Sequence, residues 1–218
     1  MSDRTSSDIP EDKTSESRLA VKRFLDSMEM NYEKWHDGVG YDLTALDEMT
    51  QSDKDSIAEM LISSGQSDPW RKFETLEYIK TARSLAAINS ALRHPSLEVR
   101  IAASRFARGA DEDRERVLIE ALEQSDLYGG LTQALDQIET FHPPGVIDAL
   151  LRGLLERDSV AVNFAGMLFY IFGKADSSFD WNHRPFFLRF STGERKEREQ
   201  AFIQLCNIIG VDPKKYIE

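Results

Sequence analysis

The sequence predicts an all-α fold: an α solenoid of paired antiparallel helices, closed by N-terminal and C-terminal caps. A helical phrase carries the prediction. It is clearest at His94-Pro95-Ser96-Leu97-Glu98-Val99-Arg100-Ile101-Ala102-Ala103-Ser104-Arg105-Phe106-Ala107, with counterparts beginning near Asp68, Asp126 and Asp158. A recurrence of about thirty residues marks stacked helical repeats. Within each repeat, apolar residues return at three- and four-residue spacing, as they do on one face of a helix. Neither helix of a unit can bury its apolar stripe alone, so the units must stack. Small residues such as Ala102, Ala103 and Ala165 let neighbouring helices approach closely.

Residues 1–16 are rich in Ser, Thr, Asp and Glu and read as a disordered tail. Residues 17–67 read as an N-terminal helical cap. Leu19, Val21, Phe24, Leu25, Met28 and Tyr32 follow helical spacing and predict a helix to about Trp35. A glycine-bearing loop follows over 35–42, then a short helix from Leu43 to Glu48. Ser52-Asp53-Lys54-Asp55 reads as the capped start of a helix to Ser63, with Gly65 as its stop.

The repeat region spans 68–190 in about four units: 68–94, 95–124, 125–157 and 158–190. Asp68 caps the first helix and Pro69 suits its first position. In the second unit, Val99, Ala102, Ala103 and Phe106 form one face, and Val117, Leu118, Ala121 and Leu122 the next. In the third, Leu131, Leu135 and Ile138 pair with Val146, Ile147, Leu150 and Leu154. The first helix of the fourth unit, Ser159 to Phe172, is apolar on nearly every side and should be deeply buried. An aromatic-rich segment holding Pro185 stands where its second helix would be. Residues 191–218 read as the C-terminal helical cap, with a charged helix from Glu194 to Ile209 and a last turn opened by Asp212-Pro213.

Hydrophobic residues make up 41% and charged residues 30%, which suits a solvated multi-helix protein with a core. The formal net charge is -11, from 38 acidic against 27 basic residues. Such a surface repels phosphate backbones and disfavours general nucleic-acid binding. It either draws basic partners or only keeps the protein soluble. The one cysteine, Cys206, excludes an intramolecular disulfide and reads as a buried thiol. The first residues lack the apolar core of a signal peptide, and Val160–Phe172 is too short to span a bilayer. The expected compartment is the cytoplasm, with no membrane association.

Two clusters are candidate partner-binding sites. Asp180, Trp181, His183 and Arg184 form the densest polar-aromatic group. Either they form a binding hot spot, or the aromatics plug the end of the stack while Asp180 and Arg184 pair. Trp35, His36, Asp37 and Tyr41 lie on the glycine-bearing loop. They either touch a partner or, through Trp35, anchor the N-terminal helix. His36, His94, His142 and His183 are far apart and predict no metal site; His94-Pro95 and His142-Pro143-Pro144 read as turns. No nucleophile elbow, Cys–His pairing or phosphate-binding glycine loop is present, so neither catalysis nor a cofactor is expected. Glu112, Asp113, Glu115, Glu120 and Glu123, followed by Asp126, Asp136 and Glu139, would make an anionic groove if they lined a concave face.

The phrase Pro95-x-x-x-Val99-Arg100-x-x-Ala103, with the paired Val117-Leu118-Ile119-Glu120-Ala121-Leu122, resembles a HEAT repeat. It is similar to the short subtype of phycobilin-lyase-like repeat proteins, over about residues 68–173. Asn163 stands where Arg100 stands in the second unit, and the third unit has Gly129-Gly130 there. The resemblance implies an α solenoid and a binding surface, with no particular activity. The block from Phe179 to Asp212 resembles the C-terminal part of small bacterial HEAT-like proteins of toxin–immunity systems. With the absence of a catalytic constellation, the small size and the acidity, that resemblance makes the leading expectation a cytoplasmic, non-enzymatic immunity protein that binds and occludes a cognate toxin, the acidic surface suiting a basic toxin domain as its partner. The alternatives are a HEAT-like enzyme, either a chromophore lyase or a base-acting one, and a general scaffold or adaptor.

Overall fold

The computed structural model describes residues 11–29, 31–64 and 68–217. Among them the ordered elements are all helical, as expected. The chain divides into two compact units, Met1–Ala91 with Phe106–Arg108, and Leu92–Arg105 with Gly109–Glu218. The division falls inside the region assigned to repeats. No described helix is long and apolar enough to cross a membrane.

In the first unit, α1 runs over Glu11–Met28. Residues 1–10 of the expected tail lie outside the described residues, and 11–16 are helical. The single helix expected to Trp35 is instead two. α2 is Tyr32–His36, begun by Asn31, whose Oδ1 accepts from Lys34 N at 2.8 Å. The expected stripe is also displaced. Leu19 is 68% exposed, and the buried face of α1 is Ser17, Ala20 and Phe24.

Ser17 is buried because it serves a helix end. α3 is Thr44–Asp47 and α4 is Gln51–Ser63. Ser17 Oγ accepts from Thr50 N at 2.8 Å and donates to Asp53 Oδ2 at 2.5 Å. The cap of α4 is Thr50, two residues before the expected Ser52; its hydroxyl accepts from Asp53 N and donates to Asp53 Oδ2. These bonds, Ser17 first, hold the Asp53 carboxyl below its ordinary pKa. The expected stop, Gly65, lies outside the described residues.

α5, Pro69–Ile79, opens as the sequence predicts: Asp68 accepts from Trp70 N and Arg71 N. α6 is Ala82–Ala91, and α4, α5 and α6 pack together through Ile57, Leu61, Phe73, Leu76 and Ile88.

The second unit holds α7 (Leu97–Phe106, its last residue apart), α8 (Asp111–Gln124), α9 (Thr132–Ile138) and α10 (Pro144–Glu156). Next come α11 (Ala161–Ile171), the four-residue α12 (Arg184–Phe187) and α13 (Arg195–Ile209). α10 is the hub, packed against α8, α11 and α13. α11 is buried almost throughout, as predicted, from Phe164 to Phe169. Of the expected faces, Ala102, Ala103, Val117, Leu118, Ala121, Leu122, Leu131, Leu135, Ile138, Val146, Leu150 and Leu154 are buried; Val99, Phe106 and Ile147 are half-buried.

Polar side chains tie these helices together. Arg100 donates to the carbonyls of His94 (2.6 Å) and Pro95 and pairs with Glu120, so the repeat phrase sews its turn to α8. His94 accepts from Ser96 N and His142 Nδ1 donates to Ile138 O, so both histidines are turn residues. Buried Gln137 bridges α9 to α7, donating to Ile101 O at 2.9 Å and accepting from Ser104 Oγ at 3.1 Å. At such depth an amide left unpartnered would be costly. Cys206 is fully buried, which pushes its thiol pKa up to about 11.

Asp148 fastens the last turn onto α10. It accepts from Lys215 Nζ (2.6 Å) and Tyr216 OH (2.9 Å) and pairs with Arg152 (2.7 Å). The bond from Lys215 is the largest reason its carboxyl lies below its ordinary pKa. A depressed carboxylate stabilises the fold fully above its unfolded pKa, about 3.9, and that share is lost as pH falls through the folded value. Asp148→Ala is expected to cost about 1–3 kcal/mol at neutral pH and to flatten the acid limb of a thermal-unfolding series. An unchanged acid limb would contradict this role.

Candidate functional site

The chain leaves α11 at Gly173, whose φ of 64° suits glycine, with Lys174 N donating back to Phe169 O at 2.8 Å. It then returns along α11. A methyl group on Gly166 would lie 2.4 Å from the Ser178 carbonyl oxygen, so only glycine admits this approach. Ser178 Oγ donates to Glu139 Oε1 at 2.7 Å and fixes the returning segment to the end of α9. Asp180 then caps a short turn, Trp181–His183, accepting from Asn182 N at 2.9 Å. Pro185 occupies the first turn of α12, where its missing N–H is harmless.

The aromatic residues of this region, called the plug below, differ in burial from Trp181 and Phe179. The plug consists of Phe169, Phe186, Phe187 and Phe190, with ring centroids 5.0 Å apart for Phe169 and Phe187. His183 belongs to it, half-buried with its ring 5.2 Å from Phe169. Trp181 and Phe179 do not: they are 73% and 64% exposed. The expected Asp180–Arg184 pair is absent among the described contacts. Arg184 instead lies over the Trp181 ring, its Cζ 4.6 Å from the centroid, and the Asp180 carboxylate is taken up by its turn. Between them is a shallow cleft of about 60 Å³ lined by Val162, Phe179, Asp180, Trp181, Arg184 and Phe187, among others. Val162 belongs to α11 and was not among the sequence candidates; only the return of the chain brings it to the site.

The described side chains of the other cluster, in the first unit, do not gather. His36 and Asp37 are exposed and touch each other, Nδ1 to Oδ1 at 3.1 Å. Tyr41 is half-buried edge-on to Phe24, centroids 5.9 Å apart, and burial raises its pKa. Trp35 is in α2; its side chain lies outside the described residues.

Most of the acidic run has structural work. Asp113 pairs with Arg93 and Arg116, and Glu115 accepts from Gly145 N at the start of α10. Glu120 holds Arg100, Asp126 caps its own turn and Glu139 holds Ser178. Burial, aided by Glu139, raises the Asp136 pKa. Among the described residues, no group of three or more His, Cys, Asp or Glu is placed to hold a metal ion. Comparison with known proteins finds no matching family model, no matching curated protein and no matching solved structure.

Gly166→Ala is expected to destabilise the fold by about 1–3 kcal/mol despite alanine's better helix propensity, because the Ser178 backbone must move. The Trp181 segment should lose hydrogen-exchange protection in the same variant. Unchanged stability and protection would show that the close approach does not hold the site.

Proposed function

We propose that the chain is a non-enzymatic protein-binding module, and that it acts as a bacterial immunity protein, binding and occluding a cognate toxin. The observation that carries the binding role is Trp181. It is an exposed aromatic beside an exposed Phe179, held under Arg184 on a segment fixed by Gly166 and Ser178. Rigid Trp and Arg side chains around a small cleft are the usual anchors of protein interfaces. The cleft, about 60 Å³, lies well below the roughly 300–1,000 Å³ of small-molecule sites and suits one side chain of a partner.

In the second unit α10 packs against both α8 and α13, and this succession of packed helices is what supports a HEAT-like stack there, with α13 as its C-terminal cap. The immunity role rests on the resemblance of the C-terminal block, and the net charge of -11 favours a basic partner. Tagged protein drawn from its native cells is expected to retain one stoichiometric basic protein, whose toxicity disappears on co-expression. Trp181→Ala should weaken that complex about thirty-fold or more without changing the melting temperature. Neutralisation unaffected by the substitution, or no toxic partner at all, would reject the reading.

A further inference from the structure

Trp35, His36, Asp37 and Tyr41 of the first unit have no part in the binding role proposed for Trp181. Among them stands Asp37-Gly38, the one place in the chain where an aspartate or asparagine precedes a glycine. α2 ends there. Gly38 has a φ of 65°, and Val39 N donates to Lys34 O at 2.9 Å, which closes the end of α2 in the manner of a Schellman turn. The Asp37 side chain is 68% exposed, and it touches the exposed His36 ring, Oδ1 to Nδ1 at 3.1 Å. At Gly38 nothing lies within 4 Å of where a Cβ would stand. No side chain of its own shields the Gly38 nitrogen, and there is room beside it for a ring to form.

We propose that Asp37 is a modification site, at which aspartate converts spontaneously to isoaspartate. The Gly38 amide nitrogen attacks Cγ of the Asp37 carboxyl in its protonated form. A C–N bond forms, the Cγ–OH bond breaks, and the amide proton leaves with the hydroxyl as water. The product is a cyclic imide joining the two residues. Water then reopens it. Hydrolysis at Cγ restores aspartate. Hydrolysis at the backbone carbonyl leaves the chain running through Cβ and Cγ, which is isoaspartate. The water released is regained, so the change is neutral in mass and needs no enzyme, oxidant or cofactor.

The position of Asp37 gives the change a structural effect. Isoaspartate adds one C–C bond, about 1.5 Å, to the main chain inside the turn that Lys34 O and Val39 N close. The Val39 carbonyl also accepts from Arg71 Nε at 3.1 Å and Nη2 at 3.0 Å. Arg71 belongs to α5, where it pairs with Asp68. Lengthening the turn moves Val39 from both partners, so the modified chain loses the closed end of α2 and its tie to α5. The inference is independent of the Trp181 segment.

The test is to hold the folded natural protein at physiological temperature for some weeks. It is then labelled with an isoaspartate-specific methyltransferase and a radioactive methyl donor. Label is expected in the tryptic peptide 35–54, eluting as two species of equal mass, with fragmentation placing the change at Asp37. Asp37→Glu should lose that label, because the larger ring closes far more slowly. Asp26-Ser27 in α1 and Asp55-Ser56 in α4 are internal controls. The same chemistry is open to them, but a helix holds their backbone, and they should stay unlabelled. The isoaspartate fraction, once separated, should lose hydrogen-exchange protection at the Val39 amide. No isoaspartate at Asp37, or as much label in Asp37→Glu or at Asp26 and Asp55, would overturn the proposal. Equal protection of Val39 in both fractions would overturn its structural consequence.

Discussion

Phe164 of α11 lies with its ring over Gly153 of α10, where even a methyl group would come within 2.4 Å of the ring. Both residues are buried. The ring fills the place a side chain would take, so α10 and α11 meet at close range. Because α10 also packs against α8 and α13, a displacement at that contact reaches both. A second close approach, Gly166 against the Ser178 carbonyl, passes the constraint from α11 to the segment that carries Trp181. Two glycines on neighbouring helices thus connect the core to the exposed aromatic surface. Interiors packed at such density transmit displacement rather than absorb it.

Much of the fold was legible because it is local. Asp68-Pro69 opens α5, His94 and His142 make turns, and the buried α11 and Cys206 lie in plainly apolar sequence. The elements misread are those set by polar side chains acting at a distance. Ser17 is buried on a helix cap more than thirty residues away, and it displaces the stripe that Leu19 seemed to extend. The bonds of Gln137 to Ile101 and Ser104 across the core likewise join residues more than thirty positions apart, so no local pattern announces them. Asn31 could have signalled the break after α1, since asparagine readily caps a helix.

The site was legible in part for the same reason. Asp180, Trp181, His183 and Arg184 are contiguous, so their grouping needed no tertiary knowledge. What each does depended on the fold: His183 entered the aromatic plug, Asp180 closed a turn and Arg184 covered Trp181. The acidic residues show the contrast most sharply. Sequence presents them as one anionic run, whereas Asp113, Glu115, Glu120 and Glu139 are occupied in holding helices and turns together. Less of that charge is free than the run suggests.

The dependence of the second unit on the Phe164–Gly153 contact is tested most directly by hydrogen exchange on Gly153→Ala. A methyl group there favours helix by about 1 kcal/mol but must displace a buried ring. The account predicts that α8, α10, α11 and α13 lose protection together, and the Trp181 segment with them. Loss confined to α10 and α11, or protection equal to that of the natural protein, would contradict it.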